Sequence, residues 1–177
     1  MKKLDEGFIE VYTGNGKGKT TAAIGLAVRA AGYSLRSYII QFMKEYPYNE
    51  LNSLALLKKW IEIEQYCSDE FVYRKEPPGK DEIEKAVRGL KAAELKMNSG
   101  EFNIIVLDEV CVAIYFGLLK TEWVLDFIGK KPANVELILT GRYCPEEIIQ
   151  KADLVTEMKE IKHYYQTGVL SRRGIES

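Results

Sequence analysis

The sequence lacks the features that mark secreted, membrane-bound and nucleic-acid-binding proteins. It has no apolar run near the roughly 18 residues that a membrane-spanning helix needs, and residues 1–6 lack the apolar core of a signal peptide. Its net charge of −1 provides no basic field for DNA or RNA. The cysteines Cys67, Cys111 and Cys144 are odd in number and far apart, so we expect reduced thiols. We therefore expect a cytoplasmic protein with no membrane and no nucleic-acid partner.

What the sequence does contain is a glycine-rich loop. Residues 13–21 read Thr-Gly-Asn-Gly-Lys-Gly-Lys-Thr-Thr, after an apolar run and before a helical pattern. This is the setting of a phosphate-binding loop, in which backbone N–H groups and a helix N-terminus face phosphate oxygens. Lys19 would supply a mobile positive charge, and the Thr20 hydroxyl would bind the magnesium of a nucleotide. Because Thr13 stands at the first glycine of the consensus, a chance Gly-Lys-Thr in a surface turn is the alternative.

The chain alternates between strand and helix patterns, as expected for a single domain over residues 1–177. We predict strands at 8–13, 37–42, 61–66, 104–108, 135–140 and 154–158, and helices at 19–31, 50–58, 81–98, 121–128 and 145–151. The 81–98 helix is the clearest, and Asp81 with Glu84 predicts a capping box at its start.

These elements predict an α/β fold. Several strands are nearly continuous apolar runs, which is typical of central parallel strands covered on both faces. The predicted fold class is a P-loop (RecA-like), doubly wound and mainly parallel sheet with helices on both faces. Ligands of such sheets bind at the carboxyl ends of the strands.

A second chemical signal is an acid pair at the end of the predicted strand 104–108. Four apolar residues precede Asp108 and Glu109. A buried strand that delivers carboxylates beside a phosphate loop is the usual second half of a nucleotide–magnesium site. Alone, the pair could simply mark a strand end. Combined with the loop, it predicts that both acids lie near the metal ion of a nucleotide.

Several segments occur in the order and wording of one known family. They are the loop at 13–23, Arg29-Ala30-Ala31-Gly32, Gln41-Phe42-Met43-Lys44, Val106-Leu107-Asp108-Glu109, Thr140-Gly141-Arg142 and Lys162-His163. From about residue 7 to residue 176, the sequence resembles the P-loop family of ATP:corrinoid adenosyltransferases. The loop is the most specific part of this resemblance, and the other segments add support through their order and spacing.

The resemblance implies transfer of the 5′-deoxyadenosyl group of ATP to the cobalt of a reduced corrinoid, with release of triphosphate. Co(I) is itself a strong nucleophile, so the protein needs only to position C5′, stabilise the departing triphosphate and exclude water. Two alternatives stay open at this point. One is an ATPase or kinase in which Glu109 orients a water or a hydroxyl acceptor, and the other is a non-catalytic module that binds ATP or a corrinoid.

The resemblance implies that three parts of the chain bind the nucleotide and its Mg²⁺ or Mn²⁺. It also implies that the nucleotide lies reversed along the loop. Thr20 and Glu109 match the metal-binding positions of the family, with Asp108 behind them, and Lys19 is expected to act catalytically. Arg142 follows a strand end and could hold a phosphate, with a surface salt bridge as its alternative role. The nucleotide-binding residues are expected to be Gly14, Asn15, Gly16, Lys17, Gly18, Lys19, Thr20, Thr21, Arg29 and Arg142.

Phe71 and Tyr73 stand where the family carries a Phe-x-Trp element that wedges beneath the corrin ring. The wedge displaces the lower axial ligand of cobalt, and four-coordinate Co(II) is easier to reduce than a five-coordinate form. Equally, two aromatics two positions apart could form one face of a core strand. Tyr73 replaces the Trp, and residues 45–48 replace a Gly and a Trp that family members often carry. The natural corrinoid, whether cobalamin or a precursor, is therefore left open.

The resemblance also implies partners. We expect a homodimer and a cellular reductase that supplies electrons for the reduction of Co(II) to Co(I). The single histidine, His163, is expected to have a hydrogen-bonded structural role.

Overall fold

The computed structural model describes residues 2–44 and 48–176, and these form six strands, seven α-helices and one 3₁₀ turn. The strands are β1 Ile9–Thr13, β2 Ser37–Phe42, β3 Ile61–Tyr66, β4 Ile104–Asp108, β5 Glu136–Thr140 and β6 Leu154–Glu157. The helices are α1 Lys19–Gly32, α2 Glu50–Ala55, α3 Glu70–Arg74, α4 Lys80–Asn98, α5 Val110–Tyr115, α6 Thr121–Gly129 and α7 Glu146–Ile149, and the 3₁₀ turn is Tyr164–Thr167. Residues 45–47, part of the segment that departs from the family resemblance, lie outside the described residues.

The six strands form one sheet in the order β3-β2-β4-β5-β1-β6, and each neighbouring pair is parallel. Parallel neighbours require crossover connections, and helices provide most of them. The predicted α/β fold is confirmed, with a sheet that is parallel throughout rather than mainly so. Gln41 pairs with Asp108, and Tyr12 pairs with Thr140. The carboxyl ends of β1, β2, β4 and β5 therefore meet at one edge.

Helices cover both faces of the sheet. On one face, Ala23 and Ala27 of α1 pack with Ile39 and Val106 of the sheet, and Leu54 of α2 joins the same cluster. On the other face, α4 to α7 bury residues that point to the opposite side of the same strands. Small alanine side chains let α1 lie close to the sheet. Since α1 follows the phosphate loop directly, this packing fixes the loop at the carboxyl edge.

Two short helices, α3 and α5, were not predicted. In α3, residues two positions apart point to different sides, so Phe71 is only 1% exposed whereas Tyr73 is 79% exposed. The alternative interpretation, in which these aromatics share one face of a strand, is wrong. In α5, Val110 to Ala113 are all buried, so the segment has no polar face and no amphipathic pattern to detect.

The start of α4 also differs from the prediction. The helix begins at Lys80, and the Glu82 carboxylate accepts a hydrogen bond from the Gly79 backbone N–H. The predicted capping box of Asp81 and Glu84 is therefore wrong. Glycine at the N-cap offers no side-chain acceptor, so the sequence lacks the usual signal for this boundary.

The cysteines are free, as expected, although the fold brings two of them together. The thiols of Cys111, on α5, and Cys144, after β5, interact with each other, which raises the pKa of Cys111 and lowers that of Cys144. Cys67 is buried elsewhere in the core. Within residues 2–44 and 48–176, no helix is long and apolar enough to cross a bilayer.

Candidate nucleotide site

A cleft of about 720 Å³ opens at the carboxyl edge of the sheet. Loop residues 15–21 form one part of its wall, and Lys44, after β2, forms another. Glu109 and Arg142 follow β4 and β5, and residues 174–176 close the far side. Residues 48–50, Ser53 and His163 line it as well, so the cleft collects residues from several separate parts of the chain around the glycine loop.

The loop conformation depends on glycine. Gly14 and Gly18 have φ values of 92° and 121°, in the left-handed region that other residues avoid. A Cβ atom on Gly14 would lie 2.6 Å from the carbonyl oxygen of Met158, which follows β6. The same carbonyl accepts a hydrogen bond of 2.6 Å from Gly16 N–H. That amide is therefore directed at the protein and not at a ligand.

Lys19 is the first residue of α1, and its ammonium lies inside the loop. Its Nζ atom donates hydrogen bonds of 2.7 Å to the carbonyl oxygens of both Gly14 and Gly16. Burial lowers the pKa of Lys19, and the Glu109 carboxylate opposes that shift. Because phosphate oxygens are stronger acceptors than carbonyls, a bound triphosphate would take over this ammonium.

Asp108 is the hub of a buried hydrogen-bond network. Its Oδ1 accepts from the hydroxyls of Thr20 at 2.9 Å and Thr140 at 2.7 Å. Its Oδ2 accepts from Lys44 Nζ at 2.8 Å and Gln41 Nε2 at 3.1 Å. Burial by itself would raise the pKa of Asp108, but the Lys44 charge and these hydrogen bonds hold it below its usual value. The Asp108 carboxylate is thus ionised and accepts four hydrogen bonds, which suits a group that holds other side chains in position.

Glu109 has an unusual backbone conformation. Its φ of 60° is left-handed, which costs a non-glycine residue about 1–2 kcal/mol. A hydrogen bond of 2.9 Å from its N–H to Thr140 Oγ1 helps to hold this conformation. Burial, and then the Asp108 carboxylate, raise the pKa of Glu109 above its usual value. The opposing positive charges are those of Lys44, Lys19 and Arg142.

The donors around the cleft fit a hard divalent cation. Thr20 and Glu109 both line the cleft and offer oxygen atoms, the ligands that Mg²⁺ and Mn²⁺ prefer. Within the described part of the chain, no three His, Cys, Asp or Glu residues form a metal-binding group. The cation would therefore need phosphate oxygens in addition to the protein, as nucleotide-bound Mg²⁺ does.

The C-terminal segment contacts the loop. Lys17 Nζ donates to Glu176 Oε1 at 2.8 Å and to the Tyr164 hydroxyl at 3.2 Å. Arg172 Nη2 also donates to Glu176 Oε1, at 3.0 Å. His163 Nδ1 accepts a hydrogen bond of 3.1 Å from Tyr165 N–H and so caps the 3₁₀ turn. The structural role expected for this histidine is confirmed.

Not all predicted site residues are brought to the cleft. The loop residues 15–21, both acids and Arg142 lie together, whereas Arg29 is exposed on the last turn of α1, away from the cleft lining. Phe71 packs edge-on against Phe116, with ring centroids 6.0 Å apart. The exposed Tyr73 interacts electrostatically with Asp69 and with Tyr48, which lines the cleft. Tyr73 is thus a surface residue outside the cleft lining, and Phe71 is in the core.

The structure adds four residues to which sequence reasoning gave no role in the site. Three of them surround Asp108, and the fourth reaches the loop from the C-terminal segment: Gln41, Lys44, Thr140 and Glu176. A signal for the first three did exist, because each stands at the end of a predicted strand, where ligands of parallel sheets bind. Glu176 carries no such signal.

Comparisons with known proteins agree with the site geometry. Residues 5–177 match the family described as ATP:corrinoid adenosyltransferase BtuR/CobO/CobP. The chain is 32% identical over 174 residues to a corrinoid adenosyltransferase of Escherichia coli K12, covering 97% of this chain and 86% of that protein. It is 30% identical over 174 residues to one of Pseudomonas aeruginosa, covering 97% and 84%. A corrinoid adenosyltransferase of Sinorhizobium is 30% identical over 178 residues, covering 98% and 82%.

Proposed function

This chain belongs to the ATP:corrinoid adenosyltransferase family, and we propose that it transfers the 5′-deoxyadenosyl group of ATP to the Co(I) of cobalamin or a corrinoid precursor. The electron pair of Co(I) forms the new bond to C5′, the C5′–O5′ bond breaks, and its electrons leave with triphosphate. No proton is transferred in this step. The nucleophile comes with the corrinoid, so the protein needs to bind, orient and stabilise charge.

One observation carries this proposal: the phosphate loop, Lys19 and the acid pair meet in a single cleft. The triphosphate would lie along the loop amides. There Lys19 would exchange the carbonyls of Gly14 and Gly16 for phosphate oxygens and stabilise the charge of the leaving group. Arg142 would add a second positive charge from the end of β5, and Lys17 a third from the loop.

Thr20 and Glu109 would hold a Mg²⁺ or Mn²⁺ ion together with the phosphates. Asp108 would fix Thr20 through the hydrogen bond of 2.9 Å. Such an ion neutralises negative charge on the triphosphate, which makes it a better leaving group. The oxygen donors of the two residues and the saturation of Asp108 support this assignment.

For the corrinoid, we propose that Tyr73 contacts the corrin ring. Its ring is 79% exposed, which leaves a broad apolar face for a flat macrocycle. Phe71 would have to leave the core to act as a wedge, because its side chain is 1% exposed. In the present conformation Phe71 anchors α3, and Tyr73 is the aromatic available to a ligand. Arg29 stays a proposed nucleotide contact only if the adenosine end of ATP extends along α1.

We further propose a cytoplasmic homodimer that receives Co(II) corrinoid and electrons from a cellular reductase. The edge strand β6 supports the dimer, since its residues are exposed along its length and include Leu154 and Val155. Exposed edge strands with apolar side chains are common association surfaces.

The test is to incubate the protein with ATP, Mg²⁺ and chemically reduced cobalamin. We expect the absorption spectrum of a light-sensitive Co–C product, together with intact triphosphate. Release of orthophosphate or ADP, with no change in the corrinoid spectrum, would indicate an ATPase or kinase instead. Nucleotide binding without any product would indicate a binding module.

A further inference from the structure

Lys44 contacts one of the two proposed metal ligands, Thr20, and the carboxylate behind it. Its Nζ atom donates to Thr20 Oγ1 at 2.7 Å and to Asp108 Oδ2 at 2.8 Å. The lysine side chain is 12% exposed, and that of Asp108 is 1% exposed. This is an almost buried ammonium held by an oxygen that we assign to a divalent cation.

The backbone before Lys44 is held in a conformation that directs this contact. Met43 has a φ of 57°, which is left-handed and unfavourable for a non-glycine residue. A hydrogen bond of 3.1 Å from its N–H to the Tyr66 carbonyl, at the end of β3, stabilises it. Residues in such conformations cluster at functional sites. The same conformation occurs at Glu109. Met43 directly precedes Lys44 and Glu109 directly follows Asp108, so both adjoin the Asp108 network.

Lys44 is one of four donors to the Asp108 carboxylate. Thr20, Thr140 and Gln41 already donate to it. The distinctive contact of Lys44 is the one to Thr20. That hydroxyl gives its proton to Asp108 and presents its lone pairs to the lysine.

A divalent cation on Thr20 Oγ1 would lie within about 5 Å of the Lys44 ammonium in its present position. Two cations at that separation in a poorly solvated site repel each other strongly. Lys44 and the metal ion therefore cannot both use Thr20 in this arrangement. One of them must leave.

We infer that Lys44 is the resident cation of the metal site: it occupies Thr20 and Asp108 in the nucleotide-free protein and competes with the divalent ion. It is a positioning residue in the sense that it keeps Thr20 and Asp108 in place until metal and nucleotide arrive together. The triphosphate supplies the negative charge that compensates for the second cation. Free divalent ion is thereby excluded, and metal uptake depends on ATP. This inference rests on the proposed assignment of the metal to Thr20.

The experiment measures Mn²⁺ binding to the full chain by electron paramagnetic resonance, with no ATP and no corrinoid. We expect weak binding by the wild type and about tenfold or greater tightening in Lys44→Met, which removes the competing charge. Lys44→Arg keeps a cation and should bind as weakly as the wild type. A lysine with a purely structural role would give the opposite result, since its loss would loosen the site.

Two further variants localise the effect. Lys17→Met removes a positive charge from the same cleft without touching Thr20 or Asp108, and it should leave Mn²⁺ affinity unchanged. Adding Thr20→Val to Lys44→Met should abolish the gain. If Lys44→Met does not fold, Lys44→Gln is measured in its place.

The inference is overturned if the neutral Lys44 variants bind Mn²⁺ no more tightly than the wild type. It is also overturned if Lys17→Met shows the same gain, or if the gain survives the loss of the Thr20 hydroxyl. These titrations contain neither substrate, so their failure leaves the adenosyl transfer untouched. Conversely, a wild type that never alkylates reduced cobalamin refutes the proposed function whatever the Mn²⁺ affinities are.

Discussion

Lys17 in the phosphate loop and Glu176 near the C-terminus are 159 positions apart and form an ion pair of 2.8 Å. Tyr164 donates its hydroxyl to the same carboxylate, and so does Arg172 through its guanidinium. Three donors thus converge on an anionic group that belongs to the chain itself and lines the cleft. Because a phosphate would be attracted to the same donors, the carboxylate and the triphosphate compete for Lys17.

Removal of this carboxylate charge should strengthen nucleotide binding. We expect Glu176→Gln to lower the Kd for ATP by about fivefold at most, since an ion pair at the protein surface is weak. Isothermal titration with ATP in the absence of corrinoid measures the change. The control is Glu160→Gln, in the same segment, where the carboxylate bonds to Gln166 and not to the loop. Equal affinities in the wild type and Glu176→Gln would argue against competition.

Lys19 is predicted to be indispensable for turnover. Its ammonium is the buried charge at the centre of the loop, bonded to Gly14 and Gly16. Lys19→Ala should reduce kcat/KM by roughly 10³-fold, as loss of a group that stabilises leaving-group charge does. Turnover is followed by the corrinoid spectrum, and a melting curve checks that the variant is folded. Lys130→Ala, which removes an exposed lysine paired with Asp126, serves as the control. Activity that survives in Lys19→Ala with unchanged ATP affinity would contradict the role of the loop.

The sequence predicted those parts of the fold that carry strong local signals. The loop at 13–21 combines three glycines with a strand and a helix, and the apolar runs identified all six strands within one or two residues. The acid pair was correctly expected at the carboxyl end of β4. These features depend on composition and spacing within short segments, which a single sequence displays directly.

The features that sequence reasoning missed depend on tertiary contacts. The predicted strand end indicates that Lys44 lies at the carboxyl edge of the sheet. It does not indicate that its ammonium lies on Thr20, because that contact joins the segment after β2 to α1. The contact between Lys17 and Glu176 likewise depends on how the chain after β6 returns to the loop. The helix α5 was missed because all six of its residues are apolar or aromatic, and an amphipathic period needs a polar face.

Phe71 is expected to contribute mainly to stability. Its ring is buried against Phe116 and belongs to the main core, so Phe71→Ala should lower the free energy of unfolding by about 3–5 kcal/mol. Tyr73→Ala, on the exposed side of the same helix, should change it by about 0.5 kcal/mol or less. Urea denaturation of both variants makes the comparison. A small effect of Phe71→Ala would mean that the side chain is not held in the core.

Tyr73 is predicted to act on the corrinoid. If its ring contacts the corrin and favours the four-coordinate form, Tyr73→Ala should impair turnover from Co(II) more than turnover from chemically prepared Co(I). We expect roughly tenfold loss with Co(II) and a loss of about twofold or less with Co(I). The matched control is Tyr33→Ala, another exposed tyrosine, which lies at the end of α1. Equal losses with the two cobalt states would refute a role in axial-ligand displacement.

Glu136 gives the fold a pH-dependent stability. It begins β5 at the sheet edge opposite the cleft, where burial raises its pKa to about 7, from an ordinary 4.5. Glu10 on β1 adds to the rise, while Phe8 N–H and Lys131 oppose it. The folded state therefore holds this proton more tightly, so the free energy of unfolding should fall as pH rises between these two values. Because the group is partly solvated, the fall should be about 1 kcal/mol.

Urea denaturation between these two pH values measures the fall in the free energy of unfolding, and Glu136→Gln should remove this pH dependence. The control Glu147→Gln, at an exposed position on α7, should keep the pH dependence of the wild type. The same pH dependence in Glu136→Gln and the wild type would show that the proton is held by another group.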